Sequence, residues 1–334
     1  MLLFGGRGFE HGISVVSARY IYSLVDKDKY DILPVYISRT GRWLATDKKS
    51  DILPEKNEFK IPVTLSYPRS VLVSKRRFFI DAALPVLHGD FGEDGVIQGA
   101  LENAKISYAG CGVVSGALCS DKAFTKSIAR ELSIDVARHT VSLPHESAEE
   151  FAERASLMGY PIFVKPARLG SSLGASVAND KDELVAAVKK AYRFSKRVLA
   201  EEYISVAAEL ECAYFSALGE KIFSGVGSIV SKDGFYDYNS KYTDADAAEV
   251  TASAEISEDI CERVKEQSKA LADAIGIRHL SRFDFLLSKD ARLVFNEINT
   301  FPGFTESSLY PRLIEKAGIS PARLVDMLIS EVAF

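Results

Sequence analysis

The sequence predicts an α/β protein whose first part is an open parallel sheet, and three observations carry that expectation. Residues 1–4 are apolar and run into the glycine-rich turn Gly5-Gly6-Arg7-Gly8-Phe9-Glu10-His11. Helical apolar spacing follows over residues 14–24, so the chain opens as strand, loop, helix. Residues 31–37 then read as a second strand suited to the same sheet. Residues 81–87 read as a buried strand that ends in His88-Gly89-Asp90-Phe91-Gly92-Glu93-Asp94-Gly95. Parallel sheets collect ligand-binding groups at the carboxyl ends of their strands, and this polar cluster lies at one. A solvated turn would look the same in isolation.

Composition narrows the class. A chain of 334 residues with 47% hydrophobic and 26% charged content is an ordinary globular protein, long enough for two or three domains. The formal net charge of -5 and the lack of a long basic run argue against nucleic acid or an anionic membrane as main partner. Cys111, Cys119, Cys212 and Cys261 have neither CxxC nor zinc-finger spacing, as expected for reduced thiols. No apolar run reaches 18 residues and the N-terminus does not read as a signal peptide, so a cytoplasmic protein is expected.

Between these landmarks the chain is uneven. Residues 39–82 say little beyond a strand near Val71-Leu72-Val73. A helix over residues 96–103 leads to a domain boundary, and a later helix carries Asp121-Lys122 and Lys126. Pro161-Ile162-Phe163-Val164-Lys165-Pro166 is a strand with a charge at its exit, followed by a loop with Gly170-Ser171-Ser172. Small residues let such a loop close its backbone amides over phosphates, with Lys165 as a point charge. GxxxxGK[ST] is absent, and a plain hairpin remains the alternative. Residues 198–204 form an apolar strand ending in acids, a pattern that suits a nucleotide-base hinge. Residues 234–242 are aromatic and polar, and with residues 243–249 they read as a lid that excludes water, or as an aromatic hairpin. Helices are expected over residues 256–275 and 321–332.

The most informative stretch lies near the end. Ser281-Arg282-Phe283-Asp284-Phe285 and Val294-Phe295-Asn296-Glu297-Ile298-Asn299 read as two strands that carry charge. Residues two apart in a strand share a face, so Arg282 projects with Asp284, and Glu297 with Asn299. Converging oxygens beside an arginine fit a hard cation and a phosphorylated ligand. A structural ion-pair network fits them too.

In this order the motifs resemble one family, the D-alanine–D-alanine ligases of the ATP-grasp superfamily. The resemblance runs from Gly5 to Leu328. It rests on Gly5-Gly6-x-x-x-Glu10-His11-x-x-Ser14, on His88-Gly89-x-x-Gly92-Glu93-Asp94-Gly95-x-x-Gln98-Gly99, and on Asp121-Lys122-x-x-x-Lys126. Three more segments are Val164-Lys165-Pro166 with Gly170-Ser171-Ser172, Tyr236-Asp237-Tyr238-x-x-Lys241-Tyr242, and Asn296-Glu297-Ile298-Asn299-Thr300-x-Pro302-Gly303. The resemblance implies an ATP-grasp fold behind a Rossmann-like, pre-ATP-grasp sheet domain. The expected units are residues 1–103, a central unit 104–196, and a C-terminal unit 197–334 with the metal site and lid.

It also implies a reaction: ATP phosphorylates one D-alanine, and the amine of a second D-alanine displaces phosphate, for peptidoglycan precursor synthesis. By motif position Asp284, Glu297 and Asn299 hold two Mg²⁺ ions, with Mn²⁺ as a substitute. Arg282 and the Gly303 N–H meet the oxyanion. Lys122, Lys165 and Lys241 contact phosphates, with Ser171, Ser172 and Asn296 alongside. Phe235, Glu201, Glu202, Ile204 and Glu209 surround the base and ribose. Glu10 holds the first ammonium and is linked through Ser171 to Tyr242. His88 lies near the first D-alanine, in a structural or a proton-transfer role, and Ser308 and Leu309 lie beside the second. A homodimer is expected by analogy. Residues 205–209 depart from the family pattern by lacking its usual Gly and running one residue long.

The rivals are D-alanine–D-serine or D-alanine–D-lactate ligases, against which Lys241-Tyr242 favours an amine acceptor over lactate, and another ATP-grasp carboxylate–amine ligase. A non-catalytic nucleotide-binding protein would have lost its metal ligands, and a nicotinamide oxidoreductase is disfavoured by the absent GxGxxG.

Overall fold

The computed structural model describes residues 1–48, 50–231 and 248–333, which build three sheets. In the first, β1 (Leu2–Gly5) lies between β2 (Pro34–Ile37) and β7 (Leu84–Val86), paired in parallel with both. Helix α1 (His11–Leu24) packs on it through Ala18, Ile21 and Tyr22. A Cβ on Gly5 would lie 2.3 Å from the Ile37 carbonyl oxygen at a φ of +96°, so glycine is required where the strand gives way to the loop.

The uninformative stretch extends this sheet. Strands β3 (Trp43–Ala45), β4 (Ile61–Ser66), β5 (Ser70–Val73) and β6 (Arg76–Phe79) continue it as an antiparallel meander beyond β2. β6 reads Arg-Arg-Phe-Phe and is mostly exposed, so no alternation betrays it. Tyr108, beyond α2 (Val96–Asn103), still bridges to Ala83 in parallel, so the first unit continues past residue 103.

α3 (Val113–Ser120) and α4 (Lys122–Glu131) lead to a four-stranded antiparallel sheet. It comprises β8 (His139–Val141), β9 (Ile162–Pro166), β10 (Ser176–Ala178) and β11 (Val198–Glu202). Its apolar face meets α5 (Ala148–Ser156) and α6 (Lys181–Tyr192) through Phe151, Leu184 and Val188. β11 pairs with both β8 and β9, so the unit boundary expected at residues 196/197 would cut through a sheet.

The third sheet, antiparallel in the order β14-β13-β12-β15-β16, holds the long strands. They are β12 (Val206–Ala217), β13 (Glu220–Ser231), β14 (Ala248–Thr251), β15 (Leu280–Ser288) and β16 (Leu293–Asn299). One face packs on α7 (Glu258–Ile275), whose Ile260, Val264, Leu271 and Ile275 recur at helical spacing and which stops at the left-handed Gly276. Within the segment 205–209 a β-bulge lies between Val206 and Ala208, after which Glu209 sits opposite Leu286. α8 (Leu309–Lys316) and α9 (Pro321–Val332) bury Tyr310, Leu313, Leu324 and Leu328 in the same core as α1. Among the described residues no helix is long and apolar enough to cross a membrane.

Candidate active site

The charged row on β15 and β16 forms through one irregularity. Arg282 pairs opposite Asn299 and Asp284 opposite Glu297, but the next pair is Phe285 with Phe295. Asn296 is thus the extra residue of a bulge. Without it, Phe295, Glu297 and Asn299 would share a face, because side chains alternate with period two. With it, Phe283, Phe285, Phe295 and Ile298 enter the core while Arg282, Asp284, Glu297 and Asn299 share the other face.

On that face the partners are close. Arg282 donates Nε and Nη2 to the two Asp284 oxygens at 2.7 Å each, and its Nε lies 3.1 Å from Glu211 Oε2. Asn299 Nδ2 donates to Asp284 Oδ2 at 2.9 Å. Lys122, at the start of α4, lies 2.9 Å from Glu297 Oε2 and donates to the Leu169 carbonyl at 2.8 Å. A deeper group lies beside it: Glu201 is buried between Lys126 Nζ at 2.9 Å and Lys165 Nζ at 2.8 Å. Burial alone would raise the Glu201 pKa, but Lys126 and Lys165 outweigh it and bring it down to about 2. Lys165 also donates to Asn296 Oδ1 at 3.1 Å, which ties the bulge to the end of β9.

Two cavities meet at this row. The larger, about 510 Å³, is lined by Glu10, His88, Gly303, Ser308 and Leu309. The smaller, about 150 Å³, is lined by Lys165, Ser172, Ile204, Glu209 and Asn296. Lys122, Ser171, Glu211, Arg282 and Glu297 belong to both walls. In the larger cavity Glu10 leaves the start of α1 uncapped, and its Oε1 accepts a 2.6 Å hydrogen bond from Ser171 Oγ. Gly89, beside the Glu10 carboxylate, holds a left-handed φ of +67°, a backbone conformation that favours glycine. Ser171 and Ser172 hold left-handed φ values of 55° and 54°, a sparsely populated conformation that the Ser171–Glu10 bond helps to fix.

Several expected side chains are engaged differently from what the motifs suggested. Glu201 lines the smaller cavity, with each carboxylate oxygen paired to one lysine, Oε1 to Lys126 and Oε2 to Lys165. Glu202 lines the smaller cavity, yet its carboxylate is held by Arg138 Nε at 2.6 Å and Arg292 Nη1 at 2.7 Å. His88 is buried with both ring nitrogens in use: Nδ1 donates to the Phe301 carbonyl and Nε2 accepts from Ser17 Oγ, both at 3.0 Å. Burial lowers its pKa, in keeping with a neutral ring. Phe235, Lys241 and Tyr242 lie outside the described residues.

Glu93, Lys126 and Glu211 join the site although sequence reasoning assigned them no role. Lys126 stands one helical turn after Lys122 and could have been read as its neighbour on the same face. Glu93 is half-buried in the wall of the larger cavity, and its pKa is pushed up to about 8 by desolvation and by nearby Glu10, against the opposing pull of N–H donors from Gly89 and Phe301.

The donors of Asp284, Glu297 and Asn299 suit a hard cation, since all can offer oxygen and two are carboxylates. Among the described residues there is no group of three or more His, Cys, Asp or Glu placed to hold a metal. Such a set fits an ion of the magnesium type, which binds through one or two carboxylates and completes its shell with phosphate oxygens and water.

Comparison with known proteins covers nearly the whole chain. Family models described as D-ala D-ala ligase N-terminus and D-ala D-ala ligase C-terminus match residues 1–111 and 130–330. A D-alanine–D-alanine ligase of Caldicellulosiruptor bescii is 39% identical, over 98% of this chain and 93% of its own. Among solved structures, a D-Ala:D-Ser ligase from Enterococcus faecalis has a TM-score of 0.86 at 32% identity, covering 99% of this chain and 98% of that one. D-alanyl-alanine synthetase A from Vibrio cholerae has a TM-score of 0.87 at 29% identity, covering 99% and 97%. With both halves matched by family models and a relative this similar along its length, the chain belongs to the D-alanine–D-alanine ligase family.

Proposed function

We propose that the chain joins two D-alanines into D-alanyl-D-alanine at the expense of ATP, for peptidoglycan precursor synthesis. The observation that carries this reading is the meeting of two cavities at Lys122, Ser171, Arg282 and Glu297. One cavity takes the amino acids, the other the nucleotide, and the phosphoryl group passes at their junction.

A carboxylate resists nucleophiles, so it is first activated: a D-alanine oxygen takes the γ-phosphoryl group, giving D-alanyl phosphate and ADP. The amine of the second D-alanine, having lost a proton, attacks the acyl carbon, and phosphate leaves with the C–O bond electrons. Glu10 holds the ammonium of the first D-alanine, oriented by Ser171. Ser308 and Leu309 flank the acceptor, and Arg282 with the Gly303 N–H meets the tetrahedral oxyanion, where preorganised donors act most strongly. Lys122, Lys165 and Lys241 neutralise phosphate charge, with Ser172 and Asn296 beside them. Ile204, Glu209 and Phe235 surround the base and ribose, and Glu201 and Glu202 serve that wall through the ion pairs that hold it. Two Mg²⁺ ions, or Mn²⁺, held by Asp284, Glu297 and Asn299, would offset the negative charge that gathers on the transferring phosphoryl oxygens. Tyr242 joins the Glu10–Ser171 link as the lid partner. The protein acts as a cytoplasmic homodimer.

The acceptor is the sharpest question, because a D-Ala:D-Ser ligase is among the structural neighbours. With ATP, Mg²⁺ and D-alanine present, D-alanine, D-serine, D-lactate and L-alanine are offered as acceptors and products are weighed by mass spectrometry. D-alanyl-D-alanine is expected to dominate. A preference for D-serine or D-lactate would replace this reading by one of its rivals.

A further inference from the structure

We propose that Glu93 and His88 are positioning residues for acyl transfer, clamping the Phe301 peptide groups and so holding the turn that presents Gly303. The proposal rests on the ligase reading above. Phe301 precedes Gly303 by two residues, and its backbone is gripped on both sides by the first sheet's loop. Its N–H donates to Glu93 Oε1 at 2.8 Å, and its carbonyl accepts from His88 Nδ1 at 3.0 Å. These contacts join residues 208 and 213 positions apart, so they couple the Glu10 side of the cavity to its oxyanion side.

The grip is itself fixed. Glu93 Oε2 accepts from the Gly89 N–H at 2.7 Å, Ser17 Oγ donates to His88 Nε2 at 3.0 Å, and Thr300 Oγ1 donates to the Glu93 carbonyl at 3.4 Å. The His88 and Phe301 rings lie 5.6 Å apart, centroid to centroid. Each Glu93 oxygen faces an N–H donor, so an isosteric amide would turn its NH₂ toward one of them, leaving two donors face to face. His88 has no ring nitrogen left to carry a substrate proton while this grip is intact. The open choice between a structural and a proton-transfer role for His88 therefore resolves toward positioning.

The test compares Glu93→Gln, His88→Ala, His88→Gln and Ser17→Ala in the full chain with MgATP and D-alanine, reading kcat, the KM for ATP and thermal unfolding. A turn displaced by a fraction of an ångström is expected to lower kcat of Glu93→Gln roughly 10- to 100-fold while the KM for ATP stays within about twofold. His88→Gln, which keeps an N–H donor, is expected to recover at least several-fold over His88→Ala. Ser17→Ala, which loosens the far end of the chain of bonds, supplies a milder variant should Glu93→Gln fail to fold, with a smaller loss expected in kcat alone. The proposal is overturned if kcat is unchanged in folded Glu93→Gln or in Ser17→Ala, if the KM for ATP rises in step with the loss, or if His88→Gln and His88→Ala are equal. Dipeptide formation by the unaltered chain tests the ligase reading separately, whatever the variants do.

Discussion

Two ionic groups stand side by side in this protein, joined by the Lys165–Asn296 hydrogen bond, and they differ in burial rather than in chemistry. In the inner group the side chains of Lys126 and Glu201 are 1% and 5% exposed; in the outer group those of Lys122 and Glu297 are 10% and 20% exposed. Charges removed from water must be compensated on the spot, so the inner pairing cannot be exchanged without large cost. The outer group faces both cavities, where a phosphate or a cation can take over a partner's role. Burial thus sets the Lys126–Glu201 pair apart as scaffold, while Lys165 at the edge of the inner group lines the smaller cavity and the outer group is open to both.

The largest expected effect lies in the outer group. Glu297→Gln should lower turnover by roughly a hundred- to a thousandfold, the range seen when a group that stabilises transition-state charge is removed. Its thermal midpoint should move less than that of an inner-group variant, since the Lys122–Glu297 pair is more exposed than Lys126–Glu201. Steady-state kinetics beside thermal unfolding checks both; unchanged turnover would remove Glu297 from the site.

In the inner group the balance reverses. Glu201→Gln leaves Lys126 and Lys165 without their counter-ion and should cost roughly 3–5 kcal/mol of stability, read by denaturant unfolding at neutral pH. A smaller effect follows in acid. Glu201 titrates at about 2 in the folded chain against 4.5 ordinarily, so its contribution is present above pH 4.5 and is lost as pH falls toward 2. The unaltered chain should lose stability across that window, while the Glu201→Gln variant lacks this component. Equal slopes for the two would contradict the assignment of the inner group as scaffold.

The same comparison marks what could be read without coordinates. The sharing of faces by Arg282 with Asp284, and by Glu297 with Asn299, was legible because strand alternation is local. The opposite facing of Phe295 and Glu297 was not, because a bulge breaks the period and leaves no sequence signature at Asn296. The opening strand, loop and helix were legible from periodicity and glycine spacing. The meander from Trp43 to Phe79 was not, since its short strands mix exposed charge with aromatics. Motif position brought Glu201 to the nucleotide wall but could not show that Lys126 and Lys165 pair with its carboxylate. Nor could it show that Glu93 reaches Phe301, because contacts between distant segments depend on how the units dock.

The most direct measurement of the central claim is the stoichiometry of phosphate to dipeptide when the unaltered chain is given ATP, Mg²⁺ and D-alanine. A ligase working through D-alanyl phosphate should release one phosphate for each D-alanyl-D-alanine formed, and next to none when D-alanine is withheld. Phosphate release at the same rate without D-alanine, or release with no dipeptide, would contradict it.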